Sequence, residues 1–250
     1  MKKGEFIVID GIDASGKGVI ERHIKEYETS LDRRIFDTSE FCELNPDKIP
    51  ELRDFSEADI IFNAEPSYYG IGKCIREEII SRNGRDYSFE DQIEAYSLDR
   101  LVNMKRIVIP AIENGIRVIQ SRCLASTLAY QIIKGTTEAI SEKNIKKLIL
   151  SKSGNILQLS CHPDLLLIPS VTDGKEVERR IEARKKEGKD DNCEFENADF
   201  QTKISKIYGS DELKKIFTSR GTRVEYIDGT ISPEYTRTKA LELYQNFLSQ

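Results

Sequence analysis

A glycine-rich segment near the start of the chain constrains the fold more than any other feature. Residues 11–17 read Gly-Ile-Asp-Ala-Ser-Gly-Lys; they follow the apolar run Phe-Ile-Val-Ile at 6–9 and precede apolar residues at helical spacing from 19 to 27. The apolar run is typical of a strand buried on both faces. The spacing of the later apolar residues is typical of an amphipathic helix. In this order, backbone N–H groups of the loop and the helix N-terminus can surround phosphate oxygens. We therefore expect a phosphate-binding loop (P-loop) at 11–18.

Strand-like and helix-like segments alternate along the rest of the chain. Apolar runs suited to strands recur at 58–62, 116–119, 164–168 and 223–227, with helical patterns between and after them. Because parallel neighbours need crossover connections, this alternation predicts an α/β fold of the P-loop NTPase type. We expect a five-stranded parallel sheet with helices on both faces. Residues 28–57 are polar and mixed in charge, so we expect a long excursion there with one short helix.

Composition and charge exclude several other classes of protein. The 250 residues include 38 Lys and Arg against 43 Asp and Glu, a formal charge of −5, and 38% are hydrophobic. The chain can bury a core but has no basic stripe, so we expect a globular protein that binds no nucleic acid. No apolar run approaches the roughly 18 residues of a membrane span, and the first residues lack the apolar core of a signal peptide. We expect a cytoplasmic protein without membrane contact.

The residue after the loop lysine departs from the usual pattern. We expect Lys17 to reach the outer phosphates of a nucleotide, and the next residue is commonly a Ser or Thr whose hydroxyl helps to hold Mg²⁺. Here that residue is Gly18. Magnesium must then depend on phosphate oxygens, water and carboxylates, for which Asp13 and Glu65 are the candidates.

Six segments in order resemble the thymidylate kinases, which transfer the γ-phosphate of ATP to dTMP. They are FIVIDGIDASGKG at the P-loop, AEPSYYGIGKCIREEI at 64–79, AYSLDR at 95–100, SRCLASTLAYQ at 121–131, HPDLLLIP at 162–169 and EFENADF at 194–200. The resemblance implies ATP and dTMP as substrates, Mg²⁺ as cofactor and a homodimer formed through helices. It also implies one domain over 1–250, with an acceptor-binding region at 64–131 and a helical lid at about 174–200.

The resemblance also assigns roles to individual residues. Tyr96 takes the place of a family phenylalanine that stacks on thymine, although a tyrosine in a long helix can simply belong to the core. Arg100, one helical turn later, matches the arginine that contacts the acceptor. Lys17, Asp13 and Arg122 are the candidate catalytic residues. The remaining assignments are ATP contacts by Gly11, Ile12, Asp13, Ala14, Ser15, Gly16, Lys17, Gly18 and Arg184, and substrate contacts by Glu65, Pro66, Tyr96, Arg100, Arg122, Ser126, Thr127 and Tyr130.

A basic stretch matches the position of the family's lid. Residues 175–189 contain seven Lys or Arg and four Glu in an otherwise acidic chain. Such charge runs are usually solvated helix faces. The resemblance instead implies a lid that closes over ATP, with Arg184 as the phosphate contact.

Several charge-handling positions differ from the family pattern. Ala64 stands where an Arg-Glu-Pro motif has its arginine, and Ser121 and Cys123 replace the acidic and aromatic neighbours of Arg122. An arginine at a phosphoryl-transfer site can contribute about 10³ to 10⁵ in rate. Two alternatives to an ordinary thymidylate kinase therefore stay open: a catalytically weak nucleotide-binding protein, and a kinase for another nucleoside monophosphate or a nucleoside. Substitutes for the missing arginine are sought in the excursion, at Arg33, Arg34 and Arg53.

Overall fold

The strands form a single parallel sheet. The computed structural model describes residues 3–171, 173–186, 195 and 198–249, without the side chains of residues 184 and 185. Within these residues the strand order is β2-β3-β4-β1-β5-β6, and all paired neighbours run parallel. The strands are β1 (Phe6–Ile9), β2 (Ile35–Asp37), β3 (Ile60–Ala64), β4 (Arg117–Ser121), β5 (Leu165–Ser170) and β6 (Arg223–Asp228).

The sheet has one strand more than the five that the sequence predicts. The additional strand is β2, which lies inside the excursion at 28–57 and pairs Ile35 with Ile60 at the edge of the sheet. It has three residues and is only half-buried, so it carries neither the length nor the apolar pattern by which a strand is recognised. The parallel α/β architecture itself is confirmed.

Helices cover both faces of the sheet. The excursion holds two short helices where one is predicted, and a π-helical segment, Met104–Val108, lies between Phe89–Asn103 and Ile109–Glu113. The α-helices are α1 (Lys17–Ser30), α2 (Thr38–Leu44), α3 (Leu52–Phe55), α4 (Gly70–Cys74, continued by the π-helical Ile75–Ile79), α5 (Phe89–Asn103), α6 (Ile109–Glu113), α7 (Leu124–Thr137), α8 (Glu142–Leu150), α9 (Ser153–Ser160), α10 (Gly174–Lys186), α11 (Ala198–Tyr208), α12 (Asp211–Thr218) and α13 (Pro233–Leu248).

Alternate residues of β1 enter two separate cores. Phe6 and Val8 belong to the cluster that also contains residues of α5, α7 and α11. Ile7 and Ile9 belong to the cluster on the opposite face, with residues of α1 and α13. All four side chains are at most 1% exposed, and burial of such a side chain contributes about 1.5–3 kcal/mol. The strand that leads into the P-loop is therefore held firmly on both sides.

Helix α5, which carries Tyr96 and Arg100, begins at a capping box. The Ser88 hydroxyl accepts a hydrogen bond from the Asp91 amide, and the Asp91 carboxylate accepts one from the Ser88 amide. This reciprocal pair satisfies N–H groups that have no partner inside the helix. The start of the helix is thereby defined by residues that the sequence places directly before it.

Within the described residues, no helix is long and apolar enough to cross a membrane. The carboxyl ends of β1, β3 and β4 meet at one edge of the sheet, where parallel α/β folds bind their ligands.

Candidate active site

A cavity of about 390 Å³ lies at this edge, directly beside the P-loop. Its volume lies within the range of small-molecule sites. Asp13 of the P-loop, Arg122 after β4 and Tyr96 of α5 all line it. The cavity brings together the predicted acceptor residues and the predicted metal ligands, namely Asp13, Glu65, Pro66, Tyr96, Arg100, Arg122, Ser126, Thr127 and Tyr130.

The P-loop backbone adopts the conformation for which glycine is suited. Gly11 and Gly16 have φ angles of 150° and 105°. A Cβ on Gly11 would lie 2.9 Å from the Pro169 carbonyl oxygen, so this turn accepts no larger residue. The Lys17 ammonium donates hydrogen bonds to the carbonyl oxygens of Gly11 and Ile12, at 2.9 and 2.6 Å.

Gly18, in contrast, is not required by the space around it. A Cβ built on this residue, in the first turn of α1, would meet no atom within 4 Å. The missing hydroxyl next to Lys17 is therefore a chemical departure that packing does not explain.

Asp13 and Arg122 link the P-loop to the turn after β4. An Arg122 terminal nitrogen donates to Asp13 Oδ1, and Tyr130 and Gln201 donate to Asp13 Oδ2 at 3.0 and 2.9 Å. Burial alone would lower the pKa of Arg122, but the neighbouring Tyr130 and Asp13 raise it well above its ordinary value. Arg122 also has a φ of 67°, a conformation that costs a non-glycine residue about 1–3 kcal/mol and is common at functional sites.

Asp10, which sequence reasoning missed, holds three segments around the site. Its buried carboxylate accepts hydrogen bonds from the backbone N–H groups of Gly11, Cys123 and Ser126 and from the Tyr208 hydroxyl, at 2.7–3.0 Å. It thus ties the P-loop to the start of α7 and to α11. An acidic residue directly after an apolar strand that enters a glycine loop was the available signal.

Glu65 and Arg100 form a buried ion pair in the cavity wall. Glu65 Oε2 accepts from Arg100, and Glu65 Oε1 accepts from Gln158 at 3.2 Å. Arg100 also donates to Asn155 and Thr127. Burial raises the pKa of Glu65, and the Arg100 guanidinium opposes this effect.

Glu65 supports Arg100 in this structure. Both of its carboxylate oxygens accept hydrogen bonds from neighbouring side chains, and its assignment as a metal ligand stays a prediction. Among the described residues, no group of three or more His, Cys, Asp or Glu side chains is arranged to hold a metal ion. Asp13, the other predicted metal ligand, also accepts hydrogen bonds at both carboxylate oxygens.

The cavity wall also contains residues that sequence reasoning did not assign. Glu21 of α1, Tyr68 and Arg76 line the cavity together with Asp37. Burial, followed by the negative charge of Asp37, raises the pKa of Glu21 to about 7. Arg76 stands on the π-helical turn that continues α4, with its guanidinium carbon 4.3 Å from the centre of the Tyr68 ring.

The arginines of the excursion do not replace the arginine missing at Ala64. Arg34 pairs with Asp59 and Glu57, and the other two pair with carboxylates of the same region. None of the three is among the residues that line the cavity, whereas Ala64 is. The described structure therefore offers no substitute for the missing arginine among Arg33, Arg34 and Arg53.

The helix predicted as a lid packs against the P-loop. Arg180 of α10 donates to the carbonyl oxygens of Ala14 and Gly229. Phe195 lies edge-on to Tyr130, with ring centres 5.2 Å apart, and lines the cavity. The side chain of Arg184, the predicted ATP contact, lies outside the described residues. Arg180 is thus an arginine of α10 that contacts the P-loop.

The fold and the site define a P-loop protein with a ligand cavity beside its phosphate loop. The family model for thymidylate kinase matches residues 51–230. The thymidylate kinase of Caldicellulosiruptor saccharolyticus is 26% identical over 243 residues, 95% of each chain. That of Leptospira borgpetersenii serovar Hardjo-bovis is 27% identical over 249 residues, 99% of this chain and 97% of the relative. The chain belongs to the thymidylate kinase family.

Proposed function

We propose that the protein transfers the γ-phosphoryl group of ATP to dTMP, giving ADP and dTDP. The observation that carries this proposal is the meeting of Asp13 and Arg122 between the P-loop and a cavity lined by the predicted acceptor residues. Phosphoryl transfer depends mainly on positioning and on neutralising charge, and requires no covalent enzyme intermediate. A site where a phosphate loop adjoins an arginine-lined cavity meets these needs.

On the donor side, the phosphates of ATP lie along the backbone of residues 11–18. The Lys17 ammonium, which bonds to the loop carbonyls of Gly11 and Ile12, turns to the β- and γ-phosphates. Arg122 faces the developing charge on the transferred group. Arg180 and Arg184 lie on α10, which contacts this loop through Arg180, and both are candidates to contact ATP.

Magnesium fits this donor set only together with ATP. Mg²⁺ usually keeps several waters and binds one or two carboxylates plus substrate phosphates. Asp13 supplies one carboxylate in the loop, while Glu65 is engaged by Arg100 and Gln158. When bound, Mg²⁺ neutralises phosphate charge during transfer.

On the acceptor side, thymine stacks on the Tyr96 ring while Arg100 contacts the base or the phosphate. Glu65 and Asn155 orient the Arg100 guanidinium, so little rotamer freedom remains to be lost when the substrate binds. Ser126, Thr127 and Tyr130 of α7 and Pro66 line the rest of the pocket.

We further propose that the whole chain acts as one cytoplasmic domain that forms homodimers. Leu98 on α5 and Ile156 on α9 are each 50% exposed, and these two helices pack together. Exposed apolar side chains on adjacent helices suit a dimer interface. Sedimentation equilibrium of the protein and of Leu98→Glu tests this, with a monomeric variant as the expected result.

The activity is tested by measuring ADP production from ATP and Mg²⁺ with a panel of acceptors. We expect the highest kcat/KM with dTMP, and lower values with dUMP, AMP, CMP and thymidine. A preference for another monophosphate or for a nucleoside would identify the second alternative. Binding of ATP and dTMP without turnover would identify a catalytically weak nucleotide-binding protein.

A further inference from the structure

The Arg76 guanidinium is held in the cavity wall by neutral groups. Its Nε donates to the carbonyl oxygens of Pro66 and Ser67 at 3.0 and 3.3 Å, and Nη2 also donates to Pro66. The guanidinium stacks 4.3 Å from the centre of the Tyr68 ring. A long side chain that is otherwise mobile is therefore fixed beside the substrate space.

Among the described residues, three arginines line the cavity, and they differ in what balances their charge. Arg100 pairs with Glu65, and Arg122 pairs with Asp13. Among the described residues, no carboxylate forms an ion pair with Arg76. The charge of Arg76 opposes the rise in the pKa of Asp99 that burial causes. The Asp99 carboxylate nevertheless accepts its hydrogen bonds from the backbone N–H and the hydroxyl of Ser67.

The remaining donors of Arg76 are available for a ligand. In the described part of the chain, Nη1 of Arg76 makes no hydrogen bond, and Arg76 lines the cavity. The positive charge of the guanidinium opposes the rise in the pKa of Tyr68 that burial causes. A guanidinium with one edge bound to carbonyls and another edge open is suited to receive phosphate oxygens.

We propose that Arg76 binds the phosphate of the acceptor nucleotide. This inference rests on the proposed function and deepens it, because it names the residue that distinguishes a nucleoside monophosphate from a nucleoside. Arg100 and Arg122 share their charge with the carboxylates of Glu65 and Asp13, whereas Arg76 offers a phosphate dianion a positive charge that no described carboxylate balances. The ordering of Arg76 by Pro66, Ser67 and Tyr68 lowers the entropy that binding costs.

A purely structural role is the competing explanation, and Arg106 provides a matched control. Arg106 also donates to backbone carbonyls, those of Pro50 and Ile49, and it pairs with Glu51. It is not among the residues that line the cavity. Loss of a carbonyl-bound arginine can thus be separated from loss of a phosphate contact.

Isothermal titration calorimetry with dTMP and with thymidine tests the proposal. For Arg76→Ala we expect dTMP affinity to fall roughly 10- to 100-fold, as for the loss of a hydrogen bond to a charged group, with thymidine affinity unchanged. Arg76→Lys keeps the charge but not the planar guanidinium fork. Its dTMP affinity should therefore lie between those of the wild type and Arg76→Ala. Arg106→Ala should leave both affinities unchanged.

Three results would overturn the inference. Equal losses of affinity for dTMP and thymidine in Arg76→Ala would show that Arg76 has a structural role. Unchanged dTMP affinity would show that Arg76 does not bind the phosphate. If Arg76→Ala does not fold, wild-type dTMP affinity in folded Arg76→Gln would likewise remove Arg76 from the site. Wild-type protein that binds ATP but neither dTMP nor thymidine would instead refute the proposed function, and this inference with it.

Discussion

The carboxylate of Glu65 and the guanidinium of Arg100 form an ion pair with 2.7 Å between oxygen and nitrogen, and only 4% and 2% of the two side chains are exposed. Glu65 directly follows β3, and Arg100 stands in the last turn of α5. The pair therefore couples the sheet edge to the helix that carries the proposed thymine-binding residues. Its strength determines how well this wall of the cavity is preorganised.

Glu65→Ala should destabilise the fold by about 3–5 kcal/mol, because it leaves the Arg100 charge buried without a partner. Glu65→Gln should cost less, since its amide oxygen still accepts a hydrogen bond from Arg100. Urea unfolding measures both changes. Glu57→Gln, at the exposed pair with Arg34, serves as the control and should show no change. Wild-type stability in Glu65→Ala would mean that the pair contributes nothing.

Tyr208→Phe should lower both stability and ATP affinity. It removes the hydroxyl that donates to Asp10 and lies 3.0 Å from the Ser126 hydroxyl, at a cost of about 1–2 kcal/mol. ATP affinity should fall because Asp10 also holds the Gly11 amide. The control is Tyr226→Phe, whose hydroxyl bonds to the Tyr208 carbonyl without contacting Asp10. An equal loss of ATP affinity in both variants would contradict the role of Asp10.

Lys17→Ala should abolish turnover or lower kcat/KM by at least about 100-fold, since the phosphate cradle loses its closest cation. The fold should survive, because the described hydrogen bonds and ion pair of the ammonium, with Gly11, Ile12 and Asp13, lie within the loop. ATP titration and steady-state kinetics measure the effect, with Lys25→Ala as a control on the same helix. Unchanged kinetics in a folded Lys17→Ala protein would refute the P-loop assignment.

We expect the native enzyme to be slow in the transfer step, and Gly18→Ser with Ala64→Arg to raise kcat with little change in dTMP affinity. The serine hydroxyl has open space and can help to hold Mg²⁺, and the arginine adds charge in the transition state. If the buried position 64 does not tolerate an arginine, Gly18→Ser alone tests whether the added hydroxyl raises kcat by helping to hold Mg²⁺. Alanine at Arg33, Arg34 or Arg53 should leave the rate unchanged. An ordinary wild-type rate of roughly 1–100 s⁻¹ would contradict this expectation.

Glu21 should make stability depend on pH. Its pKa is raised to about 7 in the folded protein from 4.5, so the folded state binds this proton more tightly. The resulting stabilisation is full below about pH 4.5 and is lost as the pH rises through 7. Relative to wild type, Glu21→Gln should therefore be more stable by about 1–3 kcal/mol at pH 8 and similar at pH 4.5. Urea unfolding across this range measures the difference, and parallel curves would contradict the shift.

The sequence alone predicted the parts of this protein that depend on local pattern. A strand, a P-loop and a helix each depend only on neighbouring residues. They could therefore be predicted from the apolar run at β1, from Gly11, Gly16 and Lys17, and from the apolar spacing that follows. The spacing of Tyr96 and Arg100 likewise places both on one helix face, and both line the cavity. Strand β2 was missed because three half-exposed residues carry too little pattern.

Only the tertiary structure decided which charges meet. Glu65 lies 35 residues from Arg100, and Asp13 lies 109 residues from Arg122, so no local rule pairs them. The same holds for Asp10, which joins segments from three parts of the chain, and for Arg76, whose partners leave its charge unbalanced. Residue types and spacing set the chemistry that is available, but the electrostatics of a site depend on distances and burial that arise when remote segments pack together.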